Sequence, residues 1–383
     1  MMTRRTALAT GAALLTSSRV FAAAPDFAVD DTRTISLQAD RYHGWPTMIR
    51  RKNGELLIVC SGGRESHVCP FGRVELIRSY DDGETWTYAR TILDGPIDDR
   101  DAGIVETPKG TLLATTFTSL AYQPTLERAI ATAATDKPSM SAERLAQWKA
   151  AHARVPAGQH SERLGCWMIR SDDGGENWSP AYRIPCNSPH GPIVLNDGRL
   201  FYAGIALWAD DRIVGGWISD DDGMTWKLQS RVPIRLGDDS KNYHELHAVH
   251  AADGRIVVHI RNHNPRNNRE TLQTHSTDGG KTFAEPYSIG VWGLPSHLLK
   301  LSDDRLLMSY GHRRAPLGNQ VRISNDHGRT WSGAIIIQGD ASSGDLGYPS
   351  TVELAPGRFA TAWYEKLKGS SLAQLRLARW TLQ

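Results

Sequence analysis

Short apolar runs recur along the chain in pairs, and a polar turn separates the members of each pair: RKNGELLIV, TPKGTLLAT, LNDGRLFYA, AADGRIVVH, LSDDRLLMS and LAPGRFATA. Asn-Gly and Asp-Gly between apolar stretches signal a β-hairpin, because the tight turn needs residues that tolerate a left-handed backbone. With Gly54, Gly110, Gly198, Gly254, Asp304 and Gly357 as markers, the six hairpins lie 56, 88, 56, 50 and 53 residues apart. A second pattern interleaves with the first. SYDDGETW (79–86), SDDGGENW (171–178), SDDDGMTW (219–226), STDGGKTF (276–283) and SNDHGRTW (324–331) all read Ser-x-Asp-x-Gly-x-x-aromatic. In such a turn the Asp satisfies backbone donors, the Gly takes positive φ and the aromatic ring packs on the sheet behind. These boxes are expected to be structural.

Repeats of about fifty residues holding four short strands are the signature of propeller blades. The pattern predicts an all-β fold, a single six-bladed β-propeller over residues 26–383. The N-terminal TRTISLQA (32–39) is expected to supply the outer strand of the last blade, which lacks a box. The 88-residue interval contains ERAIATAATDKPSMSAERLAQWKAAHARV, a composition that predicts a short helical insertion in blade two, at about 121–160. No Pro/Ser/Gly-rich linker divides the chain into two domains.

Composition narrows the class. Apolar residues make up 40% and charged residues 22% of the 383, which fits a folded globular chain. A net charge of +2 leaves no broad basic face, so nucleic acid is not an expected partner. No apolar run is long enough for membrane insertion. Residues 1–25 differ from the rest: paired Arg4 and Arg5, an Ala/Leu-rich stretch interrupted by Arg19, and small residues up to Ala24. This is the order of an export signal of twin-arginine type, and it predicts a periplasmic or secreted protein. The four cysteines, Cys60, Cys69, Cys166 and Cys186, match no zinc spacing and are open to either one or two bridges or buried free thiols.

Propeller topology sorts the polar residues. Loops preceding each first strand and following each second strand should collect on one face, opposite the boxes. The first group brings His43 (YHGWP), Asp98, Asp99, Arg100 and Asp101 (DDRD), His190 (SPHGP), His244 and Glu245 (YHELH), His297 (LPSH) and Tyr348 (GYPS). The second brings Arg64, Glu65 and His67 (GGRESH), Arg261, Asn262 and His263 (IRNH), His312, Arg313 and Arg314 (GHRR), and Glu365 (WYEK). A rim of guanidiniums, carboxylates and imidazoles suits an anionic substrate and acid–base chemistry.

Repeated Asp boxes, six blades and a late Tyr ahead of the last hairpin resemble the sialidase (neuraminidase) superfamily, over essentially the whole mature chain. The resemblance implies a glycoside hydrolase that acts on an acidic sugar of a glycan. It gives Tyr348 the role of nucleophile and Glu245 that of its activating base. Arg64, Arg261 and Arg313 (or Arg314) then hold the sugar carboxylate. The chain departs from the family where an aromatic-Arg-Ile-Pro segment is replaced by YHGWP, and where the usual acid/base aspartate is replaced by Glu65, Ser66 and His67. His67, Asp99 and Asp101 are the candidate proton donors, and Arg100, His43, His190, His244 and His297 are candidate substrate contacts.

Two other readings use the same rim. A propeller-fold polysaccharide lyase would use a His or Tyr base with an Arg neutraliser, and a glycan-binding propeller would use no chemistry at all. Neither a metal nor a cofactor is expected. HELH is not a zincin motif, and its spacing falls on a strand, where alternate residues share a face. His244, His190 and His297 are expected to meet across the pore.

Overall fold

The computed structural model describes residues 21–382. Most of the predicted export segment lies outside the described residues. Its last residues rest against blade five, where Gly333 N donates to the Ala22 carbonyl at 2.6 Å. The chain forms six four-stranded antiparallel sheets. In five of them the strands run outward in chain order; the sixth consists of Leu346–Ala355, Arg358–Lys366, Ala373–Leu382 and the N-terminal strand Phe27–Thr34. The closing strand therefore starts and ends five residues earlier than 32–39. Its charges are compatible with an edge position because Asp31 is paired with Arg379 at 2.8 Å and with Arg33, while Ile35 leaves the strand to bury its side chain in the core.

Each predicted hairpin joins the first and second strands of its blade, as in Tyr42–Arg50 with Leu56–Arg64 and Leu346–Ala355 with Arg358–Lys366. Alternating apolar residues of neighbouring blades interlock between the sheets, as where Leu56, Ile58 and Met48 meet Leu375, Leu377 and Val352. Burial of a side chain of this size stabilises the ring by about 1.5–3 kcal/mol.

The boxes are turns between third and fourth strands. In the first, Ser79 Oγ accepts from Gly83 N at 2.9 Å, Asp81 Oδ1 accepts from Thr85 N at 2.9 Å, and Trp86 Nε1 donates to the Gly83 carbonyl at 3.1 Å. Gly83, Gly175, Gly223, Gly280 and Gly328 all have φ between +82° and +88°. These side chains are used up in folding, and the opposite face is left for chemistry.

The insertion in blade two forms two helices, α1 (Gln123–Thr132) and α2 (Ala142–His152), between the second and third strands. Leu126, Leu145 and Trp148 bury a satellite core with Cys69. α2 opens on Ser141, whose side chain accepts from Arg144 N. All four cysteines are free and buried.

Candidate active site

The innermost strands carry the site, and four of the six are irregular where they approach the axis. Register shifts flank Trp45 in blade one, Asp101 in blade two, Glu245 in blade four and Tyr348 in blade six. A β-bulge re-aims the side chain at its extra residue. Trp45, Asp101 and Tyr348 also have positive φ, at 55°, 46° and 53°. Such backbone costs about 1–3 kcal/mol per non-glycine residue and persists where its surroundings enforce it. Gly44-Trp45-Pro46 and Gly347-Tyr348-Pro349 are the same device used twice. Gly347, at φ +118°, supplies a bend that a Cβ would resist.

Tyr348 and Glu245 arrive from blades six and four and meet. The Tyr348 hydroxyl donates to Glu245 Oε1 at 2.6 Å. Arg261, at the end of the strand paired with Glu245's, places Nη1 on Glu245 Oε2 at 2.6 Å and on the Tyr348 oxygen at 3.1 Å. Its Nε donates to His263 Nε2 at 3.0 Å. Burial, then the charges of Glu245 and Asp101, push the Tyr348 hydroxyl well above its ordinary value. Burial also acts to raise Glu245, but the Arg261 charge and the bonds from Tyr348 and Arg261 outweigh it and leave Glu245 lowered. The resting pair is a neutral phenol on a carboxylate.

Asp101 is the third member. Burial and the Glu245 charge push its carboxyl up to about 7, against the pull of Arg100, Arg261 and Arg64. Asp101, Glu245 and His244 line a pocket of about 130 Å³ with Phe117, Ile205, Leu207 and Arg212. His263 packs 4.8 Å from His244.

Several expected site residues are placed elsewhere. Arg64 is fully buried and bonded to Asp98 at 2.6 and 3.1 Å, with further bonds to Ser61 and the His67 carbonyl. Asp98 neutralises it, so it braces a loop and leaves no edge for a substrate. Asp99 turns away to accept from Gly95 N at 2.6 Å. His43 points into blade one, 3.4 Å from Glu75. Arg314 stacks on Trp292 at 4.2 Å, outside the centre. Glu65 accepts from Arg144 and Trp148 of the insertion at 2.7 and 2.6 Å, and Glu365 pairs with Arg376. Arg313 stays near the site, donating to the Leu346 carbonyl at 2.8 and 3.1 Å beside Gly347.

The pore histidines are also regrouped. His190, His247 and His297 lie with ring centroids 4.7–5.2 Å apart, and His247 takes the place expected for His244. Strand alternation explains this: His247 is two residues beyond Glu245, on the axis-facing side, whereas the bulge turns His244 toward blade three. The three line an axial cavity of about 420 Å³ with Ile49, Val105 and Leu299. Among the described residues, no His, Cys, Asp or Glu group is arranged to hold a metal ion.

Residues not anticipated from sequence complete the centre. Trp45, in the YHGWP segment that lacks the expected arginine, has Arg100 over its ring at 4.5 Å and Tyr348 edge-on at 6.4 Å. Asp345 Oδ1 accepts from Tyr42 at 3.0 Å and Tyr364 at 3.2 Å, and lies 2.9 Å from His67 Nδ1.

The profile of the BNR repeat-like domain family matches residues 139–360. The chain belongs to that family. No curated protein matches it significantly in sequence. In fold, this BNR-repeat propeller is similar to a protein of unknown function from Dyadobacter fermentans, at 23% identity and TM-score 0.75 over 93% of this chain and 99% of that one. It is also similar to the NanB sialidase of Streptococcus pneumoniae, at 14% identity and TM-score 0.62 over 93% of this chain and 70% of that one. A third relative is the intramolecular trans-sialidase of Ruminococcus gnavus, at 14% identity and TM-score 0.60 over 94% and 97%. The BNR-repeat propeller thus has a sialidase-like fold. Among its described residues no helix is long and apolar enough to cross a membrane.

Proposed function

We propose that this propeller is a sialidase-type glycoside hydrolase that removes an acidic sugar, a sialic acid or a related ulosonate or uronate, from glycans. The contact of Tyr348 with Glu245 at 2.6 Å, under the Arg261 guanidinium, carries the reading. A free phenol is a poor nucleophile at neutral pH, and a carboxylate at hydrogen-bond distance is the base that activates it. As the Tyr348 oxygen attacks the anomeric carbon, Glu245 takes its proton and the bond to the aglycone breaks. A neutral phenol approaches an anionic sugar without the repulsion a carboxylate nucleophile would meet.

Arg261 and Arg313 are the guanidiniums beside Tyr348 that would hold the sugar's acid group, because YHGWP carries no arginine and Asp98 occupies Arg64. Asp101, protonated up to about neutral pH, has an O–H to offer a ring substituent from the floor. The sialidases among the fold relatives favour this chemistry. The paired arginines, apolar stretch and small residues of the first 25 positions favour action in the periplasm or outside the cell.

The test is a panel of acidic glycans and their aryl glycosides, read for free sugar and for ultraviolet absorbance together. Release of an intact acidic sugar, lost in Tyr348→Phe, is the expected result. An unsaturated, ultraviolet-absorbing product makes the protein a lyase, and binding without turnover makes it a lectin; either outcome overturns the hydrolase reading.

A further inference from the structure

The hydrolase reading leaves the leaving group without a proton donor, and the loop after the second strand of blade one carries an oriented imidazole. His67 stands on that loop with its side chain 44% exposed, packed edge-on against Trp45 at 5.0 Å. Tyr348 packs against the same indole, so the two flank one aromatic residue. His67 Nδ1 lies 2.9 Å from Asp345 Oδ1 and 2.8 Å from the Tyr42 hydroxyl. Tyr42 itself donates to Asp345 Oδ1 at 3.0 Å. That places the hydrogen of Nδ1 toward Asp345 and leaves Nε2 as the nitrogen available to exchange a proton. Asp345 is held as an anion: burial acts to raise it, but His67 and Lys366 outweigh burial and keep its carboxyl well below the usual range. Lys366 Nζ closes its other oxygen at 3.0 Å.

The loop is braced on every side. The His67 carbonyl accepts from Arg64 at 3.1 Å and Arg100 at 3.3 Å. Glu65 is tied to α2 through Trp148 and Arg144, and Val68 packs on the satellite core. So much bracing for a loop that ends in a half-exposed imidazole is what a proton-transfer group needs.

We infer that His67, oriented by Asp345, is the acid and base for the leaving group, the task a carboxyl performs in most glycosidases. This rests on the hydrolase reading above. In the first step Tyr348 Oη bonds to the anomeric carbon, its proton passes to Glu245, the glycosidic bond breaks, and the His67 Nε2 proton goes to the aglycone oxygen. In the second, water attacks the same carbon, its proton goes to His67 Nε2, the bond to Tyr348 breaks, and Glu245 returns its proton to the phenol. Asp101 does not compete for this role. It is buried beside Glu245, whereas the His67 side chain is 44% exposed and so open to an aglycone. Asp345 is a positioning residue.

The experiment compares two glycosides of whichever acidic sugar the panel shows to be turned over, one linked to 4-nitrophenol and one to lactose. A nitrophenolate leaves without a proton; a sugar alkoxide does not. In His67→Ala, kcat/KM for the lactose-linked substrate should fall about 10²–10⁴-fold and that for the aryl glycoside far less. Azide, which needs no base, should speed the variant's aryl turnover and give the glycosyl azide. Asp345→Asn should show the same dependence on leaving group in a smaller measure, with the fold intact by circular dichroism. Equal losses on both substrates, or no effect of azide, overturn the assignment of His67 while Tyr348→Phe still tests the nucleophile. No turnover of any panel member overturns the hydrolase reading and this assignment together.

Discussion

Tyr348 and Glu245 are 103 positions apart in the chain and 2.6 Å apart across the axis of the ring. Each sits on a bulge of its own innermost strand. Replacing Tyr348 by Phe removes one oxygen and leaves the ring packing against Trp45 and Tyr364. The variant should keep its fold and lose at least about 10²-fold in kcat, measured with thermal unfolding as the control. A normal kcat would mean that the hydroxyl serves packing alone.

Arg261 acts on two partners at once. Its charge helps keep Glu245 ionised, and the same guanidinium is proposed to hold the sugar's acid group. Arg261→Ala should therefore weaken binding of an acidic sugar about ten- to a hundredfold. It should also move the acidic limb of the kcat/KM profile to higher pH, because Glu245 loses the charge that lowers it. A change in binding with an unmoved acidic limb would separate the two roles and count against the coupling.

The pore histidines set the acid side of stability. Burial lowers His297 to about 3 and holds His190 and His247 well below 6.5. In the unfolded chain these groups take protons near pH 6.5, so their contribution is present above that pH and is lost as pH falls below it, for His297 down to about 3. For His297 the loss is up to about 1.4 kcal/mol per pH unit between about pH 6.5 and 3. Denaturant titrations of His297→Gln should show a shallower loss between pH 6 and 4 than the parent, at about the same stability near pH 8. Parallel curves would show that the group does not titrate on unfolding.

How far the sequence was readable follows from the range of the interactions involved. Hairpin and box signals are local, involving a Gly, an Asp and an aromatic residue within eight positions, and they placed all six blades. Tyr348, Glu245 and Arg261 could be placed on one face by topology. The direction of each side chain was harder, because bulges change it by one residue. His244 and His247 exchanged roles for that reason, and His43 turned inward to Glu75. The pairing that takes up Arg64 was not legible because its partner, Asp98, comes from the next blade, and an arginine's availability depends on which carboxylate reaches it. Asp345 was in view in GDLGYPST, three residues from Tyr348, but nothing local ties it to His67, 278 positions away. The repeat of Gly-aromatic-Pro at Trp45 and Tyr348 was the one available sign that Trp45 belongs to the centre.

Asp101 gives the opposite pH signature to the histidines. Its carboxyl rises from 3.8 to about 7 through burial and the Glu245 charge. Between those values the folded protein holds a proton that the unfolded chain releases. Stability from this group is full below about pH 4 and declines as pH climbs through 7, while the histidines and Glu245 pull the other way. The net curve hides both, so the difference between variant and parent is the quantity to measure. Asp101→Asn keeps a residue that tolerates φ of 46° and removes the charge. Its stability relative to the parent should rise steadily from pH 4 to 7 and then level off. Asp101→Ala should show the same slope, displaced downward by about 1–2 kcal/mol for a left-handed backbone without a side chain suited to it. If the Asn difference curve is flat, the carboxyl is ionised throughout, and the proton proposed for substrate recognition at neutral pH is not there.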